Sequence, residues 1–186
     1  AAMVSAQRED FEGDVSFEFK DLPPGLTAEV PPMPGDQAMV PLLLTAAPDA
    51  KPAGSLADVV GRHASKDRTV EGHLMQRTSL VRGQNNREVW NHYAERMAAA
   101  VAERVPLRIE IVEPKVPLVQ NGSMELKVVA TRDEAFKAPI VLRMLYNPPG
   151  VSSPAAVTIP EGQKEAVVPL TADSGAKLGT WKIAVI

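Results

Sequence analysis

The chain is similar to itself, and that similarity limits what it can fold into more than any other feature. Val4–Gly25 (VSAQREDFEGDVSFEFKDLPPG) lies against Val129–Gly150 (VATRDEAFKAPIVLRMLYNPPG) without a gap. Phe11 then falls on Phe136, and Val15, Phe17 and Phe19 fall on Ile140, Leu142 and Met144. The triplets Pro23-Pro24-Gly25 and Pro148-Pro149-Gly150 coincide. The match continues with Pro34-Gly35 opposite Pro160-Glu161-Gly162, Leu44-Thr45-Ala46 opposite Leu170-Thr171-Ala172, and Gly54 opposite Gly179. A period of about 125 residues is too long for a solenoid unit and suits a whole sandwich domain, so tandem domains are expected.

The chain of 186 residues holds about one and a half such periods. Residues 107–128 have no counterpart before Ala1, and residues 63–104 have none after Ile186. Residues 1–104 therefore read as a sandwich without its first strand or strands, and residues 105–186 as one without its last. The sequence is expected to be an excerpt of a longer polypeptide. The alternative is that a neighbouring molecule supplies the missing strand by β-strand addition.

Seventeen prolines and 12 glycines fall between short apolar runs, the punctuation of an all-β chain. Asp14 to Lys20 alternates strictly, with Val15, Phe17 and Phe19 on one face, as in a half-buried antiparallel strand. Ile140 to Leu145 is its more apolar counterpart. In each Pro-Pro-Gly, proline removes a ladder donor and glycine accepts positive φ, so the strand must turn there. Further strands are expected at 39–44, 55–60, 70–74, 107–112, 124–130, 166–170 and 180–185, with a polar hairpin tip at 63–68. Asn121-Gly122 is a hairpin signal, since both residues tolerate left-handed φ. Residues 87–102 stay open: Ala, Glu and Arg favour a short helix, whereas the surrounding pattern favours a strand along 96–102.

Twenty basic residues stand against 23 acidic ones, for a net charge of −3. A chain of this balance lacks the basic footprint that nucleic acid or anionic lipid requires. No apolar run approaches the roughly 18–20 residues of a spanning helix, so no membrane insertion is expected. The absence of cysteine excludes disulfides, thiolate metal sites and cysteine nucleophiles. His63, His73 and His92 have none of the spacings that would bring two imidazoles to one metal, so neither metal nor cofactor is expected. No serine sits in a nucleophile elbow, and the acidic pairs Glu9-Asp10 and Asp133-Glu134 read as solvated turns. No catalytic residue is assigned. With only 4% aromatic residues, Trp90, His92 and Tyr93 form the one candidate recognition patch, against the reading that they pack at the domain junction. Trp181 occupies the place of Leu56 in this match and reads as core.

The phrases DLPPGLTAEVPP, PLLLTAAPDAKP, VEPKVPLVQNGSMELKVVATR, LRMLYNPPGVSS, IPEGQKEAVVPLTA and GTWKIAVI resemble the immunoglobulin-like repeats of large secreted bacterial proteins, often grouped with pre-peptidase C-terminal-type modules. The resemblance runs from Phe11 to Ile186 and is carried by strand and turn punctuation. It implies tandem immunoglobulin-like β-sandwiches that are exported to the cell surface, the periplasm or the exterior. It further implies a non-catalytic spacer, adhesion or assembly role, with other domains of the same polypeptide or further copies of it as partners. The alternative is a carbohydrate-binding accessory module beside a secreted hydrolase, with a glycan held on Trp90 and Tyr93.

Overall fold

Period-two alternation and proline or glycine punctuation divide the chain into short strands, and the computed structural model, which describes residues 1–65 and 67–186, contains no α-helix among them. The chain separates into two compact units, Val4–Glu103 and Arg104–Ile186 with Ala1–Met3. They are called the first and second units below.

The first unit takes in the end of β1 (Ala2–Ser5), then β2 (Ser16–Lys20), β3 (Leu26–Glu29), β4 (Met39–Ala46), β5 (Ala53–Ala64), β6 (Thr69–His73), β7 (Gln76–Arg82), β8 (Glu88–Ala94) and β9 (Met97–Val101). One sheet runs β1-β4-β3. A second runs β2-β5-β6, with β9 pairing the first half of β5. Among the described residues β7 and β8 pair only with each other. Val15, Met33 and Val40 are buried, with Ala6, Phe11, Phe17 and Val30 packed on them.

The second unit comprises β10 (Leu107–Ile111), β11 (Ser123–Arg132), β12 (Ile140–Leu142), β13 (Met144–Tyr146), β14 (Val151–Ser152), β15 (Val157–Ile159), β16 (Glu165–Ala172) and β17 (Ala184–Val185). Its main sheet runs β10-β11-β16-β14, beside the pairs β12-β15 and β13-β17. Leu126, Val128, Val168 and Leu170 from the main sheet bury against Ile140, Leu142 and Ile159 from the other strands, an arrangement consistent with a β-sandwich. Each fully buried Leu or Ile contributes about 1.5–3 kcal/mol of transfer free energy.

Each unit has, within itself, the same pattern of backbone hydrogen bonds. Leu26 N donates to Pro23 O, and Val151 N to Pro148 O, closing two turns whose glycines Gly25 and Gly150 have φ of 77° and 78°. Ala47 N donates to Gly25 O as Asp173 N does to Gly150 O. β3 pairs β4 with Leu26 opposite Ala46, and β14 pairs β16 with Val151 opposite Ala172. Val15 bridges Met33 as Ile140 pairs Ile159. Phe19 pairs Val59 as Met144 pairs Val185. The Pro34–Gln37 turn has its counterpart in Pro160–Gln163.

These bonds correct the sequence match at two places. Ala6 N donates to Ala38 O where Ala130 N donates to Lys164 O, so Ala6 corresponds to Ala130, and Val4 to Val128. Both valines are buried. The gapless match had set Val4 on the half-buried Val129, a slip of one residue that puts every side chain on the wrong face. The extra residue lies between the arginines Arg8 and Arg132 and the phenylalanines Phe11 and Phe136. Likewise Ala50 corresponds to Ala176 and Val59 to Val185 with equal spacing, so Trp181 stands at Ser55 and not at Leu56, and Gly179 at Ala53 and not at Gly54.

Other expectations are corrected too. Residues 87–102 form no helix. β8 and β9 occupy them, because β9 gains a full ladder on β5 that intrinsic helix propensity cannot outweigh. Asn121-Gly122 is not a two-residue hairpin. Gly122 N donates to Val119 O and only Asn121 takes positive φ, 54°, so a single turn ends the long connection that leads into β11. The strand expected over 180–185 is limited to Ala184–Val185. In the expected hairpin tip Ser65 N donates to Arg68 O, while Lys66 lies outside the described residues.

Candidate functional site: two clefts and an exposed arm

The corresponding sheets of the two units end in different strands. In the second unit β10 lies outside β11, with Leu107 opposite Arg132, Ile109 opposite Ala130 and Ile111 opposite Val128, and all three apolar side chains pack on the core. In the first unit β1 is the end strand of its sheet, with no further strand paired to it among the described residues. A cleft of about 470 Å³ borders the end of β1, and Val4, Ala6, Phe11, Phe17, Val59 and Leu74 are among its lining. Val4 and Ala6 are the residues that correspond to Val128 and Ala130, the partners of Ile111 and Ile109.

The second cleft lies in the second unit and measures about 650 Å³. Its lining includes Pro114–Leu118, Leu178–Trp181 and Ile183, with Met124, Val151 and Leu170. Trp181 is half-buried here and is not a core residue. Its Nε1 donates to Lys177 O at 3.3 Å, and Lys177 Nζ lies 6.0 Å from the ring centroid. In the first unit the corresponding stretch Ala53–Ala57 is covered by β9, whose Ala99 and Val101 are buried.

The third feature is the β7–β8 arm. Gln84–Asn86 makes its tip, with Asn85 and Asn86 both in left-handed conformation. Trp90 is opposite Val81 and His92 opposite Thr78, whereas Tyr93 is opposite Arg77. Alternation therefore sets Trp90 and His92 on one face of β8 and Tyr93 on the other. Trp90 is 64% exposed and does not fill a core. The candidate patch Trp90, His92 and Tyr93 is thus divided between two faces, and a flat sugar platform from Trp90 and Tyr93 is not assembled. Exposed Leu80 and Val89 sit at the register irregularities of the two strands.

Most of the polar side chains are exposed, with Asp58 and Gln37 buried. Asp58 is buried, and His73 Nδ1 lies 3.0 Å from its Oδ1. That hydrogen bond, aided by the nearby charges of His73, Arg96 and Lys20, holds the Asp58 carboxyl below the usual aspartate range against the opposing effect of burial. Glu71 and Glu18 both pair with Arg62 at 3.2 Å. Burial alone raises the Tyr146 phenol. His63 stacks on Phe11 with centroids 4.9 Å apart, and its Nδ1 lies 2.8 Å from Asp14 O. Asp133 pairs with Arg104 at 3.2 Å. Among the described residues no three His, Asp or Glu side chains are grouped to hold a metal ion.

Sequence reasoning missed the residues that line the two clefts, although its own finding, that each copy contains a stretch the other does not, pointed to them. It also missed Arg8 and Arg132, because the slipped match set neither on the other.

No family model, no curated protein and no solved structure matches this chain.

Proposed function

We propose that this chain is a non-catalytic structural and interaction module of a larger exported bacterial protein. In this reading two immunoglobulin-like β-sandwiches in tandem act as a spacer, an adhesion unit or an assembly unit. The backbone hydrogen-bond pattern repeated in the two units supports the tandem reading, and the family resemblance of the sequence supports export. Association proceeds by strand addition. One observation supports this mode: β1 is the end strand of its sheet among the described residues and its Val4 borders an apolar cleft, while its counterpart β11 is paired by β10. An open edge of unpaired backbone groups next to apolar surface is a template for another strand, whose backbone supplies affinity and whose alternate side chains supply specificity.

The test is a peptide with the sequence of residues 105–112 (VPLRIEIV), added to the whole chain while backbone amide exchange is followed. Strand addition slows exchange at Val4–Arg8 by about tenfold or more. Unchanged exchange there at about 1 mM peptide, where even a weak site would fill, would remove the strand-addition reading.

A further inference from the structure

We infer that β8 is a self-association edge. Two copies of the chain join their β7–β8 arms through β8, antiparallel about a two-fold axis at Asn91, into one four-stranded sheet. The partner is thus a second copy of this chain. The inference names a partner for the assembly reading and rests on it, but it uses an internal strand and not β1.

A two-stranded hairpin is marginally stable in water until further strands or an apolar face support it. Among the described residues the arm has only its own two strands, and it exposes Leu80, Val81, Val89, Trp90 and Tyr93. Its two edges differ in charge. β7 carries Arg77 and Arg82 and no acid, so two β7 edges repel each other. β8 has neither proline nor lysine to blunt it, and it is flanked by charges of opposite sign, exposed Arg87 before it and exposed Glu95 after it. At its middle, Asn91 Oδ1 is buried without a hydrogen-bond partner, as is Ser79 Oγ on the residue opposite. An unpaired buried polar atom costs stability until a donor reaches it.

In a two-fold contact every pair occurs twice, since residue i meets j and j meets i. Centred on Asn91, the pairing sets Arg87 opposite Glu95, Val89 opposite Tyr93 and Trp90 opposite His92, so opposite charges meet at both ends and apolar or aromatic pairs lie between them. Asn91 then meets its own copy, and each carboxamide Nδ2 can donate to the other Oδ1, which supplies the missing partner. Centring on Trp90 sets Arg87 opposite Tyr93, and centring on His92 sets Val89 opposite Glu95; neither brings the two Asn91 side chains together. The register irregularity at Val89 displaces Arg87 from an ideal ladder, but long side chains reach diagonal neighbours about 7–8 Å away. Two arms bury less than the about 1,200 Å² of a standard interface, so the dimer is weak, with Kd of about 10–100 µM, and the chain is a monomer near 1 µM.

The test is sedimentation of the whole chain from about 1 to 500 µM, where a reversible dimer is expected. Arg87→Glu sets glutamate opposite Glu95, and Glu95→Arg sets arginine opposite Arg87. Each should weaken the dimer at least about tenfold, and the double variant, which exchanges the two charges, should restore it to within about threefold. Both positions are exposed, so the three variants keep the fold. A chain that stays monomeric at about 500 µM would overturn the inference. So would species larger than a dimer, a dimer insensitive to the single changes, or a double variant that fails to recover. The residue 105–112 peptide at β1 reports separately, so failure here with success there removes the arm contact alone, and failure of both removes the assembly reading.

Discussion

Arg8 and Arg132 hold the same place in their respective units. Each guanidinium gathers four backbone carbonyls: those of Gly13, Met33, Pro34 and Gln37 around Arg8, and those of Ala138, Ile159, Pro160 and Gln163 around Arg132. The planar fork of five donors clamps the turn before β4 or β16 to the turn that leads into β2 or β12, as a point charge cannot.

Arg132→Met should therefore destabilise the second unit by about 2–4 kcal/mol, since charge-assisted hydrogen bonds contribute about 1.5–3 kcal/mol each but not additively. Arg132→Lys should recover less than half of that. Urea unfolding followed by Trp181 emission in the Trp90→Phe background measures both. A loss below about 0.5 kcal/mol would show that the clamp is dispensable.

The two Pro-Pro-Gly glycines separate strain from collision. Both have positive φ, so replacement by alanine costs about 1–2 kcal/mol at either site. A Cβ on Gly25 would meet Ala50 Cβ at 2.8 Å, whereas one on Gly150 would meet backbone, Ala176 Cα at 2.5 Å and Ala176 N at 2.9 Å. An alanine Cβ is fixed to its backbone, so neither neighbour can move alone, but the contact at Gly150 is closer and involves two backbone atoms. Gly150→Ala is expected to lower the stability of its unit more than Gly25→Ala does, by calorimetry on the two variants.

The depressed Asp58 carboxyl has a consequence at acid pH. A group with its folded pKa below the unfolded value contributes stability that is fully present above the unfolded pKa and is lost as pH falls through the folded one. Folding should thus weaken as pH drops below about 4, the ordinary aspartate range. Asp58→Asn should flatten that acid limb, and so should His73→Ala, because the His73 hydrogen bond is the largest cause of the shift. Stability measured from pH 3 to pH 7 for the three proteins decides it, and parallel profiles would refute the coupling.

Trp90→Ser should change stability by less than about 0.5 kcal/mol, because the ring is 64% exposed on an arm whose strands, among the described residues, pair only with each other. Ile159→Ala, at a fully buried position in the second unit, should cost about 2–5 kcal/mol. Chemical denaturation of both variants gives the contrast, and a large loss from Trp90→Ser would mean that the arm packs on the rest of its unit.

Alternation and punctuation made the all-β character legible in residues such as Val15, Phe17, Phe19 and the Pro-Pro-Gly turns. Local chemistry suffices for these, since φ preferences and side-chain period act within a few residues. The register of Val4 and Trp181 was not legible. Sequence similarity scores residue types and tolerates a slip of one, whereas a two-sided sheet does not, and only the ladders with Ala38, Lys164, Val59 and Val185 decide it. The strand at Met97–Val101 was likewise settled by tertiary pairing, because alanine favours a helix until a neighbouring edge offers hydrogen bonds and a buried face. The division of Trp90 from Tyr93 and the two clefts follow from which strand lies beside which, a property of long-range pairing that local sequence does not record.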